Sequence, residues 1–148
     1  MPTSGSDGEA RLDDVLLVDT SVAVPLVVDV HESHRAVSEA LAERRLGLSG
    51  HAAFETFSVL TRLSPPLRRR PEEVRRVLSV GFPATRFLDP EESAELLDRL
   101  PSLRAAGGRV YDALVGATAV AHGLPLATRD IRALDTYRAL GVELEVIS

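Results

Sequence analysis

The run Val15-Leu16-Leu17-Val18-Asp19-Thr20-Ser21-Val22-Ala23 decides how this chain is read. Four apolar residues, β-branched at both ends and bounded by a polar cluster, have the length and composition of a buried strand. Thr20-Ser21-Val22-Ala23 reads as a helix start, so the strand passes into a helix through Asp19. In open parallel α/β sheets ligands gather outside the carboxyl ends of the strands, which is where Asp19 falls. An aspartate there also serves as an N-cap that accepts from the free N–H groups of the first turn. This segment alone leaves both roles open, and the residues that separate them lie farther along.

Working outward, Thr20 to Val28 has helical apolar spacing with Pro25 inside it, and His31 to Arg45 reads as a second helix with Val37 and Leu41 on one face. Leu46-Gly47-Leu48-Ser49 is a brief strand, after which Ser49 is expected to cap a helix running from Ala52 to about Leu63, stopped by Pro65-Pro66. Pro71-Glu72-Glu73 opens another helix, since proline and acids suit a first turn. Ala84 to Leu88 is a third strand candidate, and Asp89-Pro90-Glu91-Glu92 begins a helix that ends between Pro101 and Gly108. Arg109 to His122 is helical with Gly123 as its stop. Leu124 to Ala127 is a strand, Arg129 to Leu140 is largely helical, and Glu143 to Ile147 closes the chain as a strand whose Glu143 and Glu145 face solvent. This βα alternation without tight hairpin signals predicts a three-layer α/β/α sandwich around a central, mainly parallel sheet.

The chain has 148 residues, enough for one core that buries about 70% of the unfolded surface, and we expect a single domain over residues 14–148 behind a flexible tail at residues 1–13. Hydrophobic residues make up 45% and charged residues 26%, as in ordinary globular proteins. There is no cysteine, which excludes disulfides and thiolate metal sites, so any metal is held by oxygen or imidazole. The segment Pro2 to Glu9 has no apolar stretch of the kind a signal peptide needs. Asp19 and Pro25 interrupt the best membrane-spanning candidate. A cytoplasmic protein without a membrane partner is expected. All 17 basic residues are arginine. The absence of lysine excludes a P-loop lysine, a Schiff base, and the lysine that accompanies a phospho-acceptor aspartate. The net charge of −5 decides little, because a local basic patch still binds phosphate.

Four acids sit where this architecture can bring them together. Asp19 and Asp130 each follow a short apolar strand and so share one sheet edge. Asp112 falls in the first turn of the Arg109 to His122 helix, and Glu55 is a charge within the largely apolar segment Ala52 to Val59. Two like charges about 4 Å apart repel by roughly 4 kcal/mol at an effective dielectric near 20. Converging carboxylates are therefore protonated, paired with arginine or bridged by a cation. Mg2+ or Mn2+ answers best, being hard ions that take oxygen ligands from one or two carboxylates together with substrate phosphates. The bland alternative makes these acids a cap, a solvated face and an arginine partner.

The segments Leu16 to Ser21, Ala53 to Leu60, Tyr111 to Ala119 and Leu126 to Asp130 together, in this order, resemble the acidic motifs of PIN-domain ribonucleases of the VapC toxin type. The resemblance runs through nearly all of the chain from Val15. It implies Mg2+-dependent (or Mn2+-dependent) endoribonuclease activity that cleaves cellular RNA and inhibits translation and growth. It also implies a homodimer and a cognate antitoxin that inserts into the acidic pocket. By position, it makes Asp19 and Asp112 direct metal ligands, with Asp130 completing the set directly or through water. Glu55 orients the attacking water, and the hydroxyls of Thr20, Ser21 and Thr128 hold carboxylates or waters in place. Where some members carry a further acid two residues after the fourth, this chain has Arg132, and the next acid is Asp135. Occupancy of a second metal position is open on that ground.

Arg68-Arg69-Arg70, with Arg75 and Arg76, is the densest source of positive charge for RNA, and equally a solvated basic loop. Aromatic residues are only 4% of the chain, so backbone and shape are expected to dominate RNA recognition over base stacking. His31 and His34 have ligand-like spacing but no third partner, and surface positions are expected. A receiver domain is disfavoured by the missing lysine. A non-catalytic protein-interaction module of the same fold is the remaining alternative.

Overall fold

A computed structural model describes residues 14–148, and the tail expected over residues 1–13 lies outside the described residues. Strand β1 (Val15–Val18) is buried throughout. Its side chains alternate between two cores, as successive Cβ atoms on a strand must. Leu16 and Val18 pack with Val22, Val37, Leu48, Leu60, Val74 and Leu78, whereas Val15 and Leu17 pack with Val115, Ala119, Leu126 and Tyr137. A strand covered on both faces has no polar side, which is why β1 is an unbroken apolar run.

Strands β2 (Arg45–Leu48), β3 (Leu126–Thr128) and β4 (Leu144–Val146) complete a four-stranded sheet in the order β2-β1-β3-β4, with every pairing parallel. Helices α1 (Thr20–Val27), α2 (His34–Ala40), α3 (His51–Thr61) and α4 (Pro71–Gly81) come next to β1 and β2 in sequence. Residues of all four helices contribute to the Leu16 core. Helices α6 (Arg109–His122) and α7 (Leu134–Leu140) cover the opposite face. Helix α5 (Pro90–Arg99) packs outside them, where Leu96 meets Ala113 and Leu140. The expected sandwich is present, with seven α-helices among the described residues.

Four local expectations need correction. Residues Ala84 to Leu88 form no full strand. Ala84 N and Arg86 N donate to Leu46 O and Leu48 O, but the only bridge is Ser49 to Arg86. The Thr85 hydroxyl takes the Leu48 N–H at 2.9 Å, so a side chain occupies the place of the next ladder carbonyl. Gly47 permits this approach, since a Cβ there would run into the Ala84 backbone. Secondly, α2 spans only His34–Ala40. The residues before it turn instead, with His31 Nδ1 accepting from Ser33 N at 3.0 Å and His34 Nδ1 2.8 Å from Pro25 O. Thirdly, the N-cap of α3 is Gly50, at φ +54°, rather than Ser49. The Ser49 hydroxyl donates to Val115 O at 2.7 Å, tying β2 to α6. Finally, Glu145 is not simply solvated: it accepts two bonds from the Arg44 guanidinium, at 2.9 and 3.0 Å.

Candidate active site

Parallel pairing of β1 with β3, in the register Val18 to Ala127, sets Asp19 beside Thr128 at the carboxyl edge of the sheet. Asp19 caps α1 and is only 4% exposed. Its Oδ1 accepts from Ser21 N at 3.1 Å and Ser21 Oγ at 2.5 Å. Its Oδ2 accepts from Thr128 Oγ1 at 2.5 Å and Tyr137 Oη at 2.8 Å. A carboxylate has about four lone-pair sites, and here all four meet a donor. The same hydroxyls hold the loop after β3: Ser21 Oγ accepts from Arg129 N at 2.8 Å, and Thr128 Oγ1 accepts from Asp130 N at 3.0 Å. Capping and site-building therefore use one side chain.

The other three acids face this anchor. Asp130 caps the 3-10 turn Ile131–Ala133, accepting from Arg132 N at 3.0 Å. Asp112 lies half-buried in the first turn of α6, and Glu55 half-buried midway along α3. Burial pushes the Asp19 carboxyl up, against the pull of the Ser21, Thr128 and Tyr137 bonds and with the help of the Asp130 charge. Burial likewise raises Asp112, reinforced by the charges of Asp130, Glu55 and Asp19. Glu55 is raised first by burial, with His51 opposing and Asp19 and Asp130 adding to the rise. These mutual effects mean that the four acids share one electrostatic site.

Among the described residues, arginine pairing with the cluster is limited to one exposed side chain. Of the four ion pairs among the described residues, only Arg132 to Asp130 touches it, at 3.7 Å from a side chain that is 95% exposed. The donor set consists of carboxylate and hydroxyl oxygens, which suits a hard divalent cation. The buried Thr20 hydroxyl has no hydrogen bond of good geometry, although it acts on Glu55 to lower its pKa. Among the described residues no three acid or histidine side chains converge closely enough to hold an ion unaided. An ion would therefore be held by one or two carboxylates with water completing its shell, the habit of Mg2+. The residues fit such a group.

Several expected residues stand apart. Asp135 is exposed on α7 and is not among the charges acting on Asp19, Glu55 or Asp112. Arg68, Arg69 and Arg70 follow α3 and bond to Leu63 O, Val27 O and Glu73, not to the acids. Sequence reasoning missed Tyr137. Its signal is a tyrosine on the apolar face of a helix, a residue whose hydroxyl needs a partner once buried. The acid that pairs with it is 118 residues away, and nothing local names it. His51, one turn before Glu55, and Tyr111, next to Asp112, are given no role by the sequence reading.

An α/β/α sandwich with acids gathered at one sheet edge defines a class, and the PIN-domain model matches residues 16–139. The chain belongs to the PIN-domain family. Ribonuclease VapC27 of Mycobacterium tuberculosis is 47% identical over 131 residues, covering 88% of this chain and 96% of the relative. Ribonuclease VapC40 of the same species is 45% identical over 132 residues, covering 88% and 97%. Among solved structures, VapBC2 from Rickettsia felis bound to a promoter DNA fragment aligns with a TM-score of 0.64 at 16% identity, over 90% of this chain and 99% of the other. VapC20 of Mycobacterium tuberculosis, a sarcin-ricin loop cleaving toxin, aligns at 0.63 and 18% identity over 80% and 92%. FitAcB from Neisseria gonorrhoeae aligns at 0.61 and 18% over 87% and 95%. Those three share the fold.

Proposed function

We propose that this chain is a divalent-metal-dependent endoribonuclease and the toxin of a toxin–antitoxin pair, cleaving RNA at the cluster of Asp19, Glu55, Asp112 and Asp130. The observation that carries this is four acids sharing one site, with Asp19 buried and, among the described residues, a single ion pair to them, from the exposed Arg132 to Asp130. Such a site is stable with a bound divalent cation and poorly stable without one. The relatives' common description as VapC ribonucleases supports the same activity.

One or two of the carboxylates of Asp112, Asp130 and Asp19, with water completing the shell, would hold Mg2+ or Mn2+. When bound, the ion supplies charge neutralisation at the scissile phosphate and lowers the pKa of the attacking water. Asp19, fixed by its four donors, sets the position of the site. Glu55 orients the attacking water, and its raised pKa suits it to receive a proton during attack. Thr20 stands beside Glu55, and its hydroxyl acts on that carboxyl. Ser21 and Thr128 couple the Asp19 carboxylate to the backbone that carries Asp130. Outside the cluster, the exposed Arg132 at its edge and Arg68 to Arg70 beyond α3 offer positive charge to the RNA backbone.

An antitoxin partner is supported by the fold neighbours VapBC2 and FitAcB, which were solved as complexes. An arginine from that partner, bidentate on the carboxylates, would compete with the metal. The protein would act as a homodimer. No described helix is long and apolar enough to cross a membrane, and cytoplasmic action on cellular RNA is part of the proposal.

The test is end-mapping of cellular RNA after induced expression, comparing wild type with Asp112→Asn. New 5′ ends that appear only with the wild type, growth arrest that follows them, and loss of cleavage in EDTA are expected. Undiminished cleavage by purified, folded Asp112→Asn would sink the mechanism.

A further inference from the structure

We infer that His51, Tyr111, Phe54 and Phe87 form a base-stacking platform that binds unpaired RNA bases next to the acid cluster; this rests on the ribonuclease reading above. The chain has four phenylalanines, two tyrosines and no tryptophan. Half of these six aromatics lie on one exposed strip: Phe54 is 64% exposed, and Phe87 and Tyr111 are each 50% exposed. The rings run in series. His51 stacks on Tyr111 at 4.6 Å between centroids and 18° between planes. His51 is 6.5 Å from Phe54, and Phe54 is 6.0 Å from Phe87.

The strip begins at the acids. His51 lies one helical turn before Glu55 on the same face of α3, and its charge acts on the Glu55 carboxyl. Tyr111 directly precedes Asp112 in the first turn of α6. A base on the His51 and Tyr111 rings would therefore belong to a nucleotide close to the scissile phosphate. Phe54 and Phe87 also line a cleft of about 230 Å³ with His51 and Leu114, which continues the track away from the acids.

Energetics favour nucleic acid as the occupant. Beside the phosphate contacts that Arg132 and Arg68 to Arg70 offer, an RNA strand crossing an acidic site gains from contacts that do not depend on charge. Stacking of a base on an aromatic ring contributes about 1–3 kcal/mol and tolerates any sequence. Bases in a duplex are already stacked and cannot use it, so the platform selects single-stranded or looped RNA. Low aromatic content had argued against stacking, but the fold concentrates what there is.

The test uses a Glu55→Gln background, which retains Asp19, Asp112 and Asp130, in Mg2+. The probe is a fluorescein-labelled single-stranded RNA dodecamer followed by anisotropy, alone and annealed to its complement. Tyr111→Leu and Phe54→Leu keep an exposed apolar residue and remove the ring. Each is expected to weaken single-strand binding about tenfold and to leave duplex binding unchanged, with melting temperature and sedimentation unaltered. Single-strand affinity within twofold of the parent in both variants would overturn the platform. So would a changed oligomeric state with unchanged RNA affinity, which assigns the strip to contact between copies. If wild type cleaves no RNA, the ribonuclease reading fails and the platform with it. Cleavage by wild type with undiminished binding by both variants refutes the platform alone.

Discussion

Replacing Tyr137 by phenylalanine removes one oxygen from the site and nothing else. The ring stays packed among Leu17, Leu126 and Val115, so no cavity opens. What is lost is the 2.8 Å bond from Tyr137 Oη to Asp19 Oδ2, one of four donors on an acid that is 4% exposed. A hydrogen bond to a charged group is worth about 1.5–3 kcal/mol, against about 0.5–1.5 kcal/mol for one between neutral groups. Metal-free Tyr137→Phe should therefore lose about 2 kcal/mol at pH 8, where Asp19 is more ionised, and less at pH 5, where it is more protonated. At roughly 3 °C per kcal/mol for a domain of this size, the melting temperature falls by about 6 °C at pH 8. Urea unfolding with EDTA at both pH values measures the loss. Because Asp19 is misplaced, Mg2+ affinity by calorimetry should also fall, by about tenfold. A stability loss under 0.5 kcal/mol at pH 8 would refute the view that this hydroxyl serves the Asp19 charge.

The raised pKa values of Asp19, Glu55 and Asp112 mean that the folded state binds more protons than the unfolded one above the ordinary carboxylate range. Their contribution is full below the unfolded values and is lost as pH rises through the folded ones. The metal-free protein should thus melt higher at pH 5.5 than at pH 8, and added Mg2+ should raise the melting temperature more at pH 8, releasing protons on binding; scanning fluorimetry showing the reverse order would contradict the clustered acids. Gly47→Ala should cost more than about 2 kcal/mol in urea unfolding, since its Cβ meets the Ala84 backbone and the segment held beside β2 must move. Gly81→Ala, with nothing near its Cβ, is the control and should be neutral or slightly stabilising.

The backbone layout was legible because its signals are local. The apolar run at β1, the caps at Asp19 and Asp89 and the left-handed stop at Gly123 each depend on a few neighbouring residues. The third strand candidate failed because its pairing rests on a nonlocal choice, the Thr85 hydroxyl taking the Leu48 N–H. Ser49 failed as a cap for a similar reason, its hydroxyl finding Val115 O 66 residues away. Glu145 looked like a solvated position by alternation, and the missing fact was Arg44, 101 residues earlier.

By itself, the sequence determined that strands alternate with helices around a buried β1, and that Asp19 and Asp130 follow strands. Apolar periodicity and capping chemistry act over one or two turns, so they can be read from neighbouring residues. It also nominated the four acids, through their places at strand ends and in helix turns. Tertiary structure alone decided what Asp19 is bonded to, because Thr128 and Tyr137 reach it from 109 and 118 residues away. Tertiary structure likewise left the acids, among the described residues, with one ion pair to an exposed arginine and lined up a scarce set of aromatic rings beside them. Composition counts residues without placing them, and a site is made by placement.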